Sequence, residues 1–307
     1  MKTKILFILL SIFALKTNAQ QETMISQYMF NGLFINPAYA GSHKYFSASL
    51  LYRNQWVNFE GAPKTGIVSV DGPIANNKMG IGLVAVNDRI GITNKTDVYG
   101  NYAYHLQVSE NAKLSFGIKA GFSNYNADFG DLKYWDKNDQ VYLQGAVSQF
   151  VPRFGFGSYY YTEKFYAGLS IPTLLAYDHA YSFNVDLNKA SFLRRHLFFT
   201  TGYVFEVSET VKFKPSMLVK YVTNAPAEVD ITMSSMFKDM IWIGVSYRSN
   251  DAVVGIIEYQ ANQRFRVGYA YDFTVSKMKN YNMGSHEIMI GYDFGKDFIT
   301  VKTPRFF

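Results

Sequence analysis

Ser285-His286-Glu287 sets a hydroxyl, an imidazole and a carboxylate side by side. Gathered in space, such a trio could hydrolyse an ester at a bilayer, with Ser285 as nucleophile and His286 as base. The plainer reading is a turn followed by a lumen-facing pair, and it is preferred. The remaining histidines, His43, His105, His179 and His196, form no local metal signature with it. His-Glu-x-x-His is absent, and so is cysteine. Gly80, Gly82 and Gly268 belong to strand patterns and not to a nucleotide loop. No cofactor and no metal is expected. Asp88-Arg89 reads as a solvated loop salt bridge rather than a binding pair. Trp56 and Phe59, beside Gly61-Ala62-Pro63, make an aromatic knuckle that either anchors a rim or meets a partner.

Charge offers a second kind of chemistry. Lys212, Lys214, Lys220, Arg264 and Arg266 could attract anions. They could equally pair with Glu258, Asp272, Glu287 and Asp293. Pairing is preferred, because both signs alternate on neighbouring C-terminal segments.

The elements that must position these groups are strands. Phe265, Val267, Tyr269, Tyr271 and Phe273 share one face of residues 263–273, and Arg264, Arg266, Gly268, Ala270 and Asp272 share the other. A period of two excludes a helix. The same sorting recurs in 45–56, 98–106, 114–122, 197–205, 211–221, 241–247 and 286–294. Counting gives about 14 strands joined mostly by hairpins. Gln140–Ser148 is one candidate. Asn124–Asp139 and Pro172–Ser191 read as long loops. Pro215 predicts a bulge or break.

A soluble sandwich and a membrane barrel both fit alternation. Segments of about nine to twelve residues suit a tilted membrane crossing. Aromatic residues cap the apolar stripes, as girdles do. The opposite face carries Lys119, Lys212, Lys220, Arg248, Glu258, Arg264, Arg266, Asp272, Glu287 and Asp293, which lipid would reject and a lumen would hold. The predicted fold is therefore all-β: a closed antiparallel transmembrane barrel wound as an up-and-down meander.

Composition agrees. Aromatic residues reach 17% and charged residues only 18%. Met1–Ala19 reads as a secretory signal, with Lys2 and Lys4 before an apolar run and Thr17-Asn18-Ala19 at the cleavage site. Its loss would lower the formal charge from +6 to +3, three lysines fewer. Nothing then points to nucleic acid. Residues 20–42 read as an N-terminal arm or plug, 43–295 as the barrel and 296–307 as a tail.

Four stretches carry a family resemblance. They are Gln27–Asn31 with Ile35-Asn36-Pro37-Ala38-Tyr39-Ala40-Gly41; Tyr52-Arg53-Asn54-Gln55-Trp56 with Phe59–Thr65; Asn87–Gly91; and Gly284–Glu287. The chain resembles the PorP/SprF family of outer-membrane proteins of the type IX secretion system in Bacteroidetes. The resemblance implies a non-enzymatic outer-membrane barrel that serves protein secretion. It implies as partners other secretion components, or a secreted protein or large adhesin with its own C-terminal targeting domain, in support of export, surface attachment and gliding. Outer-membrane lipid is the remaining partner. The signature residues map onto Asn36, Pro37, Tyr39, Gly41, Arg53, Gln55, Trp56, Gly61 and Pro63. With Phe59, they are candidates for a partner surface. A solute-conducting channel is the alternative.

Overall fold

The computed structural model describes residues 22–128, 146–176, 195–222 and 225–295. Fifteen antiparallel strands make one sheet. They are β1 Phe46–Asn54, β2 Lys64–Ile74, β3 Met79–Ile90, β4 Thr93–Ser109, β5 Ala112–Asp128, β6 Ala146–Thr162, β7 Phe165–Ala176, β8 His196–Tyr203, β9 Phe205–Ser208, β10 Val211–Val222, β11 Glu228–Phe237, β12 Ile241–Arg248, β13 Ala252–Gln260, β14 Phe265–Thr274 and β15 Ser285–Phe294. Strands β8 and β9 both lie on β10 and form one crossing, interrupted at Val204. Phe46 of β1 stands opposite Phe294 of β15, and Asn54 opposite His286, so the sheet meets itself. The fold is a closed barrel of 14 strands. Closure pairs every crossing on both sides, with the short β9 paired to β10 alone among the described residues.

Several strands run further than their polarity suggests. Asn124–Asp128 belongs to β5, residues 172–176 to β7 and Asn87–Ile90 to β3. The described part of Gln140–Ser148 opens β6 and is no separate strand. Asn, Asp and Ser are poor strand formers by propensity. Here they pair across strands instead: Asn87 Nδ2 donates to Asn94 Oδ1 at 2.8 Å, and Ser148 Oγ to Asn124 Oδ1 at 3.1 Å. Pro215 keeps its place opposite Met233 on β11. The break falls in the neighbouring crossing at Val204, on the side where the ladder skips Lys214 and Pro215. Residues 1–19, the tail 296–307, His179 and most of the two long loops lie outside the described residues.

Alternation sorts the side chains into two populations. Outward stand Leu50, Leu83, Ile118, Phe154, Ile243, Tyr247, Ile257 and Ile288, all exposed. Inward stand Ser49, Arg53, Asn101, Lys119, Arg153, Arg248, Asp272 and Glu287, all buried. So continuous an apolar exterior requires lipid. Arginine in place of Ile288, which is 50% exposed on β15, should cost about 2–4 kcal/mol. Urea unfolding in lipid vesicles measures it, and a cost near zero would take this face out of the bilayer.

The two ends differ. Where β1 begins and β15 ends, connections are short: 75–78, 110–111, 163–164, 209–210, 238–240 and 261–264. The opposite end carries 55–63, 275–284 and the long connections after β5 and β7. These are called below the turn end and the loop end.

Candidate functional site

Residues 22–42 run through the inside of the barrel, from the loop end to the turn end. They form a 3-10 turn at Tyr28–Phe30, one α-helical turn at Gly32–Ile35 and a second 3-10 turn at Pro37–Tyr39. Regular strand or helix is denied to them by Gly32, Pro37 and Gly41. Their backbone groups therefore find local turns or barrel side chains, as buried backbone must.

At the loop end the contacts are ionic and polar. Glu287 accepts from two successive backbone N–H groups, Ser26 through Oε2 and Gln27 through Oε1, both at 2.8 Å. Ser26 Oγ donates to Asp272 Oδ1 at 2.7 Å. It accepts from Arg53 Nη1 at 2.8 Å and Arg248 Nη2 at 3.2 Å. Arg53 also bridges Asp272 at 2.7 Å and Glu287 at 3.0 Å. Arg248 pairs with Asp230 and Asp272, each at 3.1 Å. Across the lumen Thr23 Oγ1 donates to Asp88 Oδ2 at 3.0 Å, and Arg153 pairs with Glu22 at 3.2 Å. Between these anchors a small cleft is lined by Phe34, Val86, Asp97, Tyr99, Lys119 and Phe198 among others.

Glu22 lies at the mouth, outside the strands. Burial by itself raises its carboxyl, but the charges of Arg153, Lys95, Lys119 and His196 outweigh that and hold it well below its ordinary 4.5. A depressed carboxylate contributes stability above its ordinary pKa and loses it only as pH falls through the lower folded value. At pH 4 residues 22–28 should therefore stay as protected from hydrogen exchange as at pH 7, after correction for intrinsic rates. Loss of protection at pH 4 would remove the Glu22 anchor from the account.

At the turn end two close backbone crossings are added to the side-chain contacts. A Cβ on Gly80 would stand 1.9 Å from the Ala40 carbonyl oxygen, and one on Gly117 would stand 2.2 Å from Ala38 N. Gly41, at φ +66, donates its N–H to Asp71 Oδ2 at 2.9 Å. That left-handed conformation and the close crossing both call for glycine. Asn36 caps the last turn through Ala38 N and reaches the Ser158 carbonyl, each at 2.9 Å. Tyr39 packs edge-on against Tyr159 and hydrogen-bonds His43 at 2.9 Å.

The signature residues thus divide. Asn36, Pro37, Tyr39, Gly41 and Arg53 are buried and offer no outer surface. Gln55, Trp56, Phe59, Gly61 and Pro63 lie in the 55–63 connection at the loop end. Trp56 and Phe59 meet edge to face at 6.4 Å, and Phe59 is exposed. The connection is tied to its neighbours: Val57 N donates to Gly284 O at 2.8 Å, and Gly91 N to Gly61 O at 2.9 Å.

Among the lumen candidates, Lys119, Lys220, Arg248, Glu258, Arg266, Asp272, Glu287 and Asp293 are buried. Arg266 pairs with Asp293 at 2.8 Å near the turn end. Lys212 pairs instead with Asp239 of a connecting turn, at 2.5 Å. Arg264 stands exposed in the hairpin before β14, one residue beyond where the strand's alternation begins. Asp88 faces inward on β3 and accepts from Thr65 at 2.6 Å, while Arg89 faces out, so they are no loop salt bridge. Ser285 and Glu287 also face inward, whereas His286 turns outward to Tyr269 at 2.8 Å. Strand alternation pulls the hydrolytic trio apart. Sequence reasoning missed Glu22, Ser26, Gln27, Asp230 and Arg153. For Arg153 a signal existed: it shares the small-residue face of β6 with Gly155 and Gly157.

A closed barrel with an apolar exterior and a filled, charge-paired interior defines a transmembrane β-barrel protein. The profile of the family described as type IX secretion system membrane protein PorP/SprF matches residues 17–292, and the chain belongs to that family. It is accordingly an outer-membrane protein linked to secretion and not an enzyme. No curated protein matches the chain. Among solved structures it is similar to the Ralstonia pickettii toluene transporter TbuX. That match has 9% identity and a TM-score of 0.51, over 85% of this chain and 92% of that one. It is also similar to the Acinetobacter baumannii outer membrane protein Omp33, with 10% identity and a TM-score of 0.49, over 83% of this chain and 100% of that one. At such identity the likeness shows the fold alone.

Proposed function

We propose that this barrel serves type IX export by binding a secreted protein or other secretion components at its loop end, while residues 20–42 act as a plug. The secreted partner in this reading is a large surface adhesin with its own C-terminal targeting domain, and gliding follows from its display. Residues 1–19 leave as a signal, 43–295 form the barrel, and 296–307 trail from it. The loop end faces the cell exterior, as longer loops do in this class. Gln55, Trp56, Phe59, Gly61 and Pro63 supply the rim of the contact, and the buried lumen charges hold the plug. The observation that carries this reading is the filled interior in a member of a secretion family. Affinity purification of the protein from outer membranes in gentle detergent tests it. A secreted protein or secretion component should co-purify, and the barrel alone would overturn the reading.

A solute channel is the second reading, favoured by the fold shared with a toluene transporter. It requires the plug to move. Steady ion current through single reconstituted barrels would support it, and silence supports the filled barrel.

A further inference from the structure

The interior segment is held in two different ways at its two ends. Residues 36–41 are locked by backbone contacts on Gly80 and Gly117, which leave no room for exchange. Neither they nor residues 22–27 make a main-chain-to-main-chain hydrogen bond to a strand among the described residues, but 22–27 have no such close backbone crossing. Barrel side chains grip them, with one added bond from Gln27 Nε2 to the Glu287 carbonyl oxygen at 3.4 Å. Those side chains sit in the last turns of lumen before the loop end: Arg53 next to the end of β1, Arg248 closing β12, Asp272 near the end of β14, Glu287 near the start of β15.

What this seat recognises is generic. Two carboxylate oxygens take two successive main-chain N–H groups. One hydroxyl has its donor and both acceptor sites filled by Asp272, Arg53 and Arg248. Gly268 clears space for the next side chain, since a Cβ there would stand 2.2 Å from Gln27 Oε1. Arg53 Nε and Gln27 Oε1, both buried, make no hydrogen bond among the described residues, so the fit leaves capacity over. A segment with a hydroxyl residue followed by a long polar one presents the same groups to it.

We propose that Arg53, Arg248, Asp272 and Glu287 form a peptide-binding seat, filled in cis by Ser26-Gln27 and taken in trans by a hydroxyl-bearing segment of the secreted partner entering from the loop end. This rests on the partner-binding reading above. Residues 22–31 act as a releasable strap, while residues 36–41 stay locked in the lumen at the turn end. The partner thereby gains a site while that end of the segment keeps its place.

The chain has no cysteine, so a strap lock can be built cleanly. Thr23→Cys with Asp88→Cys replaces a 3.0 Å contact by a reducible bond. The probe is a fluorescent peptide of residues 22–31, added to the mature full-length barrel in detergent. It should bind the reduced variant at least tenfold more tightly than the oxidised one. On the wild-type barrel, which needs no lock, unlabelled peptide should displace the probe about tenfold better than its Ser26→Ala version. Equal binding to oxidised and reduced protein, equal competition by both peptides, or no binding at all would overturn the seat. Capture from cells separates this from the broader reading. Equal capture of a secreted protein by locked and unlocked barrels sinks the seat and leaves the secretion role. Capture by neither sinks the role, and the peptide titration still decides the seat.

Discussion

Gly80→Val should leave the protein unfolded in an unheated detergent gel, where the parent chain runs as a compact barrel. The added atoms meet main chain, not a side chain that can swing away. A Cβ at this site would lie 1.9 Å from the Ala40 oxygen and 2.4 Å from its carbonyl carbon. Overpacking against a flexible neighbour costs about 1–3 kcal/mol, and backbone cannot yield that cheaply, so about 3 kcal/mol or more is expected. Gly117→Val should behave alike, with Ala38 N at 2.2 Å and the Pro37 carbonyl carbon at 2.4 Å. Gly255→Val is the control. Its Cβ meets nothing within 4 Å and points outward from β13, so the folded band should persist. A folded band of normal intensity for Gly80→Val would refute the close crossing of segment and wall.

Arg53→Met should be the next most damaging change. It strips one guanidinium from Asp272 and Glu287, which are 2% and 0% exposed. A buried carboxylate robbed of its partner typically costs about 3–5 kcal/mol. Arg248 still neutralises Asp272 at 3.1 Å, but among the described residues Glu287 keeps only the two main-chain N–H groups of the segment. Urea midpoints in detergent would read the loss. Pairing Arg53→Met with Glu287→Gln should recover part of it, because no orphaned charge then remains and the amide oxygen still accepts a main-chain N–H. A single-variant loss below about 1 kcal/mol would mean that the cluster is wetter and looser than its geometry implies.

Much of the barrel was legible in the chain because its signal is local. Ile288, Ile290, Tyr292 and Phe294 alternate with Glu287, Met289, Gly291 and Asp293, and one face must be lipid. Closure followed from the penalty on bare strand edges in lipid. Strand ends were less legible. Asn87, Asn94, Asn124 and Ser148 look like loop residues, yet bond to one another across strands beyond the apolar band. The interior was hardest to read. That Ser26 meets Arg53, Arg248, Asp272 and Glu287 depends on contacts spanning most of the chain, and no short window contains them. Family signature residues pointed to the right places without saying which way they faced. Asn36, Tyr39 and Gly41 look inward because a turn, a ring stack and a glycine crossing hold the segment to the wall.

The course of residues 22–42 also fixes an order of events during biogenesis. The segment touches β14 and β15 through Ser26, β2 through Gly41, and β5 to β7 through Ala38, Asn36 and Ile35. These contacts lie on both sides of the seam between β1 and β15, and the segment is tethered to β1 at the turn end. The leading residues must already be in place when β1 and β15 meet, so the wall is wrapped about its own beginning as staves are about a former. A cut in 42–45 made after closure would be harmless to the shell, whereas the same cut made before it would leave β1 and β15 with nothing to close upon.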